Sequence, residues 1–178
     1  MNYCRKASSS DELLFQGDLL RRIFVVKHSP GTENALPETV ASNVLVLSQD
    51  CEIDKAIKRR TSVSVACVFD LASLPRDNHK PIRENRAFNY FYLPIEPPFP
   101  VEGCIDWRTV QPVDISALIA IRDTDRYICT LSDDLLKAAS ERFWDFYFRP
   151  MEFNRRGNPP APQDAPGGFF NRLLKRWR

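Results

Sequence analysis

Apolar residues fall into short, strand-like runs over most of the chain and into one helical stripe near its end. The first run lies within Leu13 to Val26 and contains QGDLLRRIFVV; Gly17 and Asp18 precede it and the pair Arg21-Arg22 interrupts it. KHSPGTENALPET has Pro, Gly and Asn and no periodic pattern, which predicts a loop. SNVLVLSQ is short and continuous in Val and Leu, the mark of a buried strand. DKAIKRR, residues 54–60, reads as a basic connector. TSVSVACVFDL alternates Val63, Val65 and Cys67 with Ser62, Ser64 and Ala66, the period of a half-buried strand. PRDNHKPIREN predicts a second loop, RAFNYFYLPI an aromatic strand, and EPPFP its end. A further strand is expected near Cys104–Val110, closed by Pro112, and residues 117–129 add one more. Then the period changes. Ser132 caps a helix running to about Phe148, with Leu135, Leu136, Ala139, Phe143 and Phe146 on one stripe and Asp133 and Asp134 in the first turn, where the helix dipole favours them.

Strand follows strand without an intervening helix in this reading. The predicted fold is therefore mainly β with a C-terminal helix: a small antiparallel barrel or half-barrel with the helix packed on it. Residues 1–12 are polar and Ser-rich and read as a flexible N-terminus; residues 13–153 form the domain. Residues 154–168 hold four Pro and three Gly, a linker. Residues 169–178, FFNRLLKRWR, form a basic amphipathic tail.

Composition narrows the class. Of 178 residues, 43% are hydrophobic, and 12 Phe, 5 Tyr and 3 Trp suffice to fill a core. No stretch approaches the ~18 apolar residues of a spanning helix, and the N-terminus lacks a secretory h-region, so the expected compartment is the cytoplasm. Five widely spaced Cys without a CxxC pair predict reduced thiols, with no zinc site and no cofactor. The net charge of +2 hides an asymmetry: residues 154–178 carry six Lys/Arg and one Asp, a balance of +5, which leaves −3 for residues 1–153. The body is thus no general polyanion binder, and any such affinity is local or comes from the tail. In that tail Phe170, Leu173, Leu174 and Trp177 share a stripe among four cations. Ten residues are too few for a stable isolated helix, which leaves three fates: a membrane surface, a partner's groove, or disorder.

Four stretches carry candidate chemistry. SQDCE, residues 48–52, puts a thiol at a strand end, but Asp50 and Glu52 beside Cys51 raise a thiol's pKa and disfavour a nucleophile. Asp106 and Arg108 stand two apart on a strand and share a face, as a catalytic pair or as an exposed ion pair. Lys55, Lys58, Arg59 and Arg60 are backbone-phosphate contacts or a solvated connector. FNYFY, residues 88–92, offers rings for base stacking, or for a core or dimer face.

GDLLRRIFVV, then VLVLS, TSVSVACV, GCIDWRTVQPVDISAL and a terminal LSDDLLKAA helix resemble, in that order, the MazF/PemK/Kid toxins over roughly residues 16–148. VQPVDISAL is similar to that family's T-V-D turn, with Asp114 in its acidic position. The resemblance implies an SH3-like β-barrel, usually homodimeric, that cleaves single-stranded RNA without metal in a toxin–antitoxin or defence setting, with an antitoxin or other protein as partner. It implies Asp106 as base, Arg108 as electrophile and His28 as second acid or phosphate contact, the RNA's own 2′-OH being the nucleophile. Gln49, in the loop after the second strand, and the cations Lys55, Lys58, Arg59 and Arg60 would bind RNA. The chain departs from the family pattern in several places. Ser42-Asn43 replace an Arg-Pro, CVFDL replaces Pro-Ile-Thr, the Asp–Arg order is swapped relative to Kid, and residues 75–100 carry an aromatic-rich insertion. The alternative is the same fold as a non-catalytic module that holds a protein partner. A Cys51-dependent enzyme is a third possibility.

Overall fold

The computed structural model describes residues 4–5, 14–27, 37–94, 101–122 and 124–148. His28, residues 6–12, and the linker and tail from 149 onward lie outside the described residues. Seven strands form one sheet: β1 (Cys4–Arg5), β2 (Asp18–Lys27), β3 (Glu38–Val46), β4 (Ser62–Asp70), β5 (Tyr90–Leu93), β6 (Gly103–Asp114) and β7 (Tyr127–Leu131). Their order is β1-β7-β2-β3-β4-β6-β5, and every recorded pairing is antiparallel. A mainly β, antiparallel domain with a C-terminal helix, α4 (Asp133–Phe148), is therefore present, although the ladder does not close on itself among the described residues.

The absence of intervening helices is corrected. DKAIKRR belongs to a helix, α1 (Asp50–Arg59). Gln49 and Glu52 form a reciprocal capping box, Asp50 and Glu52 sit in the first turn, and Lys58 and Arg59 in the last, where the dipole favours each sign. Ile53 and Ala56 are buried, and Ile57 packs beside them. Arg60 takes the left-handed cap at φ 52° and donates its N–H to Ala56 O. Read from residue 54, the segment is too short to show this stripe; Ile53 is the missing residue.

The second expected loop contains α2 (Arg76–Arg83), two turns that bury Ile82 against Leu71 and Cys104. Pro81 hid it: at the sixth of eight positions it forgoes the bond to Asp77 O, and the segment closes instead through Arg86 N and Ala87 N, which donate to Pro81 O at 2.8 and 3.2 Å. Residues 117–129 divide into α3 (Ile115–Arg122) and β7 rather than one strand. Asp114 Oδ1 starts α3 by accepting from Ser116 N at 2.8 Å and Ser116 Oγ at 2.5 Å. β6 runs through Pro112 instead of ending there. β5 pairs only with residues 103–106, so beyond them β6 has no β5 neighbour and a residue without N–H is tolerated.

Both faces of the sheet are covered. On one, Leu19, Leu45, Ala66, Val68, Ile105 and Trp107 pack against α4 through Leu135, Ala138 and Ala139, with Leu136, Phe143 and Phe146 alongside. The stripe expected for this helix is the stripe that packs. On the other, Leu20, Ile23, Val25, Val44, Val63, Val65 and Cys67 pack against α1 and α3 through Ile53, Ala56, Ile115 and Leu118. Helices on both faces explain why β3 is fully buried over Val44–Val46.

Two irregularities shape the strands. In β2 the partner of Leu20 is Val44 and that of Ile23 is Ser42, so β2 carries one extra residue at the Arg21-Arg22 pair, where Arg22 has φ 57°. In β6 the partners step from Asp106, opposite Cys67, to Gln111, opposite Val65, so residues 107–110 bulge out against Ala66. Beyond this bulge Gln111 turns its carboxamide to β2: Oε1 accepts from Val26 N at 2.8 Å and Nε2 donates to Val26 O at 3.2 Å.

Candidate functional site

Asp106 and Arg108 lie on the sheet face opposite Ile105 and Trp107, as their spacing predicted. Asp106 stands between Cys67 of β4 and Tyr90 of β5 in the register. Arg108 Nε donates to Asp106 Oδ1 at 2.9 Å and Nη2 to Oδ2 at 2.7 Å; the Arg108 backbone N–H adds a third bond to Oδ1 at 3.0 Å. The Asp106 side chain is 6% exposed and that of Arg108 56%, so the carboxylate is a buried anchor and the guanidinium faces outward. The hydrogen bonds to Asp106, and then its charge, raise the Arg108 pKa further above its already high ordinary value.

β5 completes the surroundings. Arg108 Nη2 also donates to Tyr90 Oη at 2.6 Å, and the guanidinium carbon sits 5.1 Å from the centre of the Tyr90 ring. With its carboxamide oxygen turned to the guanidinium, Asn89 accepts from Nε at 3.1 Å. Burial first, then the Asp106 charge, push the Tyr90 phenol above its ordinary pKa. Among the described residues, no partner takes the two N–H groups of Arg108 Nη1.

The bulge in β6 sets this geometry. Thr109 Oγ1 accepts from Cys67 N at 2.8 Å and donates to Asp106 O at 2.7 Å, supplying the ladder bonds the bulge removes. Trp107 N donates to Asn89 O at 3.0 Å, and Tyr147 Oη of α4 donates to Trp107 O at 2.9 Å. The rigid part of the site is thus Asp106, the bulge and β5, with Arg108 displayed from it. Asp106 accepts two bonds at Oδ1 and one at Oδ2, and with its side chain only 6% exposed, proton abstraction by this carboxylate requires a substrate to reach the remaining, buried side of Oδ2.

The other expected contacts come from a different element. Gln49, Lys55, Lys58, Arg59 and Arg60 belong to α1 or its caps, and none is a recorded partner of Arg108. The four cations are exposed. The SQDCE cluster is accounted for by local structure. Ser48 Oγ accepts from Ser64 N at 3.0 Å, Gln49 caps α1, and Asp50 Oδ1 accepts from Gln16 N at 2.8 Å. Cys51 is exposed on the first turn of α1, with Gln49 Oε1 3.9 Å from its sulfur. Cys67 and Cys104 are free and buried, and Cys129 is buried. Burial pushes the Cys104 thiol up to about 12 and raises that of Cys67. Among the described residues, no three His, Cys, Asp or Glu side chains gather as a metal site.

Thr109 is the residue around Arg108 that no candidate stretch contained; Asn89 and Tyr90 lie within FNYFY, singled out for base stacking and not as partners of Arg108. FNYFY did hold the signal: alternation sends Phe91 and Leu93 into the core beneath α4 and leaves Tyr90 and Tyr92 on the face that carries Arg108.

The chain matches no protein-family model and no curated protein. No described helix is long and apolar enough to cross a membrane.

Proposed function

We propose that this chain is a single-stranded RNA-binding barrel of the MazF/PemK type that cleaves RNA without metal, with Arg108 as the group that meets the phosphate. The observation that carries the reading is the outward guanidinium, its Nη1 edge without a partner among the described residues, anchored from below by Asp106 and from the side by Tyr90. Such a group supplies positive charge where charge grows on a phosphodiester, and its anchoring removes reorganisation during reaction. The barrel reading is supported by the strand order of the resemblance and by Gln111, which bridges β6 to β2, strands that are not neighbours in the ladder. A cytoplasmic toxin–antitoxin or defence setting, with a protein antitoxin and a homodimer, follows from the resemblance alone.

A second reading is a non-catalytic module of the same fold that holds a protein partner. The closed Asp106–Arg108 pair favours it, because no free base stands beside the guanidinium among the described residues.

The test is cleavage of a mixed single-stranded RNA pool, with chelator present. Wild type is compared with Arg108→Lys and with the double variant Asp106→Asn, Arg108→Gln, which removes both charges without stranding a buried one. Fragments from wild type, and none from the double variant at matched folded concentration, support the nuclease. RNA left intact and unbound by wild type sinks it and leaves the binding module.

A further inference from the structure

We infer that Tyr90 and Arg108 form a two-donor receptor for a single phosphodiester group, with the Tyr90 hydroxyl as a direct ligand contact and not only a prop for the arginine; this rests on the reading of Arg108 as the phosphate contact. Tyr90 Oη already accepts from Arg108 Nη2 at 2.6 Å. A phenol that accepts keeps its own hydrogen to give. Among the described residues, nothing accepts it. The two donors left over, the phenolic O–H and the Nη1 edge, therefore belong to neighbouring groups joined by one short hydrogen bond. Two non-bridging oxygens of a phosphodiester need such a pair.

The chemistry of the surroundings suits an anion. Asp106 neutralises Arg108 only from the buried side, with both of its oxygens engaged by the guanidinium there. Tyr90 and Tyr92 alternate with buried Phe91 and Leu93, so the hydroxyl is held on a strand whose other face is locked in the core. The raised phenol pKa keeps the hydrogen on oxygen through the neutral range. The ring near the guanidinium carbon is also retained by phenylalanine, so the hydroxyl can be deleted alone.

The experiment is fluorescence-anisotropy binding of a labelled oligouridylate with 2′-O-methyl sugars, which blocks self-cleavage chemistry, over a salt series. Wild type, Tyr90→Phe and the Asp106→Asn, Arg108→Gln double variant are compared, each checked for a native thermal transition. For Tyr90→Phe the expected result is about a tenfold loss of affinity at every salt concentration with an unchanged slope, since a neutral donor releases no counterion. For the double variant the slope of log K against log salt falls by about 0.7, one phosphate contact on a single strand. A Tyr90→Phe affinity equal to wild type, with the double variant weakened, overturns the receptor and leaves Arg108 standing. A double variant that binds as wild type does, or a wild type that does not bind, overturns both.

Discussion

Gln111 on β6 grips Val26 on β2 by both ends of its carboxamide, at 2.8 and 3.2 Å, in the way a neighbouring strand would grip it. The bond pair joins two strands that are not neighbours in the ladder. It is solvent-exposed, so its contribution is modest. Gln111→Ala is expected to cost about 1 kcal/mol in urea unfolding. Hydrogen exchange should single out the Val26 amide, with the Val44 amide unchanged; uniform acceleration across the sheet would refute a local role.

The Asp106–Arg108 pair is unequal, and its mutants should be too. Removing Arg108 leaves a carboxylate with 6% exposure and no counter-charge, a loss of about 3 kcal/mol for Arg108→Ala. The double variant Asp106→Asn, Arg108→Gln keeps hydrogen-bonding groups without a buried charge, and about 1 kcal/mol is expected. Equal stability of Arg108→Ala and wild type would show that Asp106 is hydrated.

Gly17 has φ +87°, and a Cβ there would lie 3.2 Å from both methyl carbons of Leu136. Gly17→Ala therefore meets strain in the backbone and crowding against α4, with a loss of about 1–2 kcal/mol. The adjoining bonds, Gly17 N to Val46 O and Leu131 N to Gly17 O, tie this residue to β3 and β7. A thermal midpoint unchanged in Gly17→Ala would show that α4 shifts freely.

Stability should fall at both ends of the pH scale through one triad. Glu102 accepts from Arg83 Nη2 at 2.5 Å and from Tyr92 Oη at 2.6 Å. Its folded pKa is lowered, chiefly by the Arg83 hydrogen bond, so this contribution is present above the ordinary carboxyl value of 4.5 and is lost as pH falls through the folded one. Tyr92 is raised above its ordinary 10.0, by burial and then by Glu102, so its contribution is full below 10.0 and is lost as pH rises from there towards the folded value. Tyr90, Tyr147 and Cys104 are raised as well and share the alkaline limb. Denaturant midpoints from pH 3 to 11 should shallow at the alkaline end in Tyr92→Phe while the acid limb softens only partly.

Much of the fold was legible because period and composition agreed locally. The Val63, Val65, Cys67 alternation and the Leu135 to Phe146 stripe needed no tertiary information. The helices α1, α2 and α3 were hidden for three different reasons: a stripe cut short at residue 54, a proline at 81, and an apolar ISALIAIR that reads equally as strand. At the site, the spacing of Asp106 and Arg108 placed them together, but nothing in the sequence could show that one is buried and the other displayed. That division depends on the bulge at 107–110 and on β5, a strand brought alongside by long-range pairing.

The extra residue in β2 acts on that strand as a frameshift acts on a reading frame. Before it, Leu20 faces the interior under α1 and α3; after it, Ile23 and Val25 do, while Phe24 and Val26 look outward. Run as a regular strand with every residue kept, β2 would put Phe24 and Val26 on the side of Leu20 and turn Ile23 and Val25 out; the bulge absorbs one residue and restores the phase. Length changes in this strand are thus constrained by parity: loss of one of the Arg21-Arg22 pair removes the bulge and keeps the assignment of sides, whereas loss of both sets Leu20 beside Ile23 and inverts it.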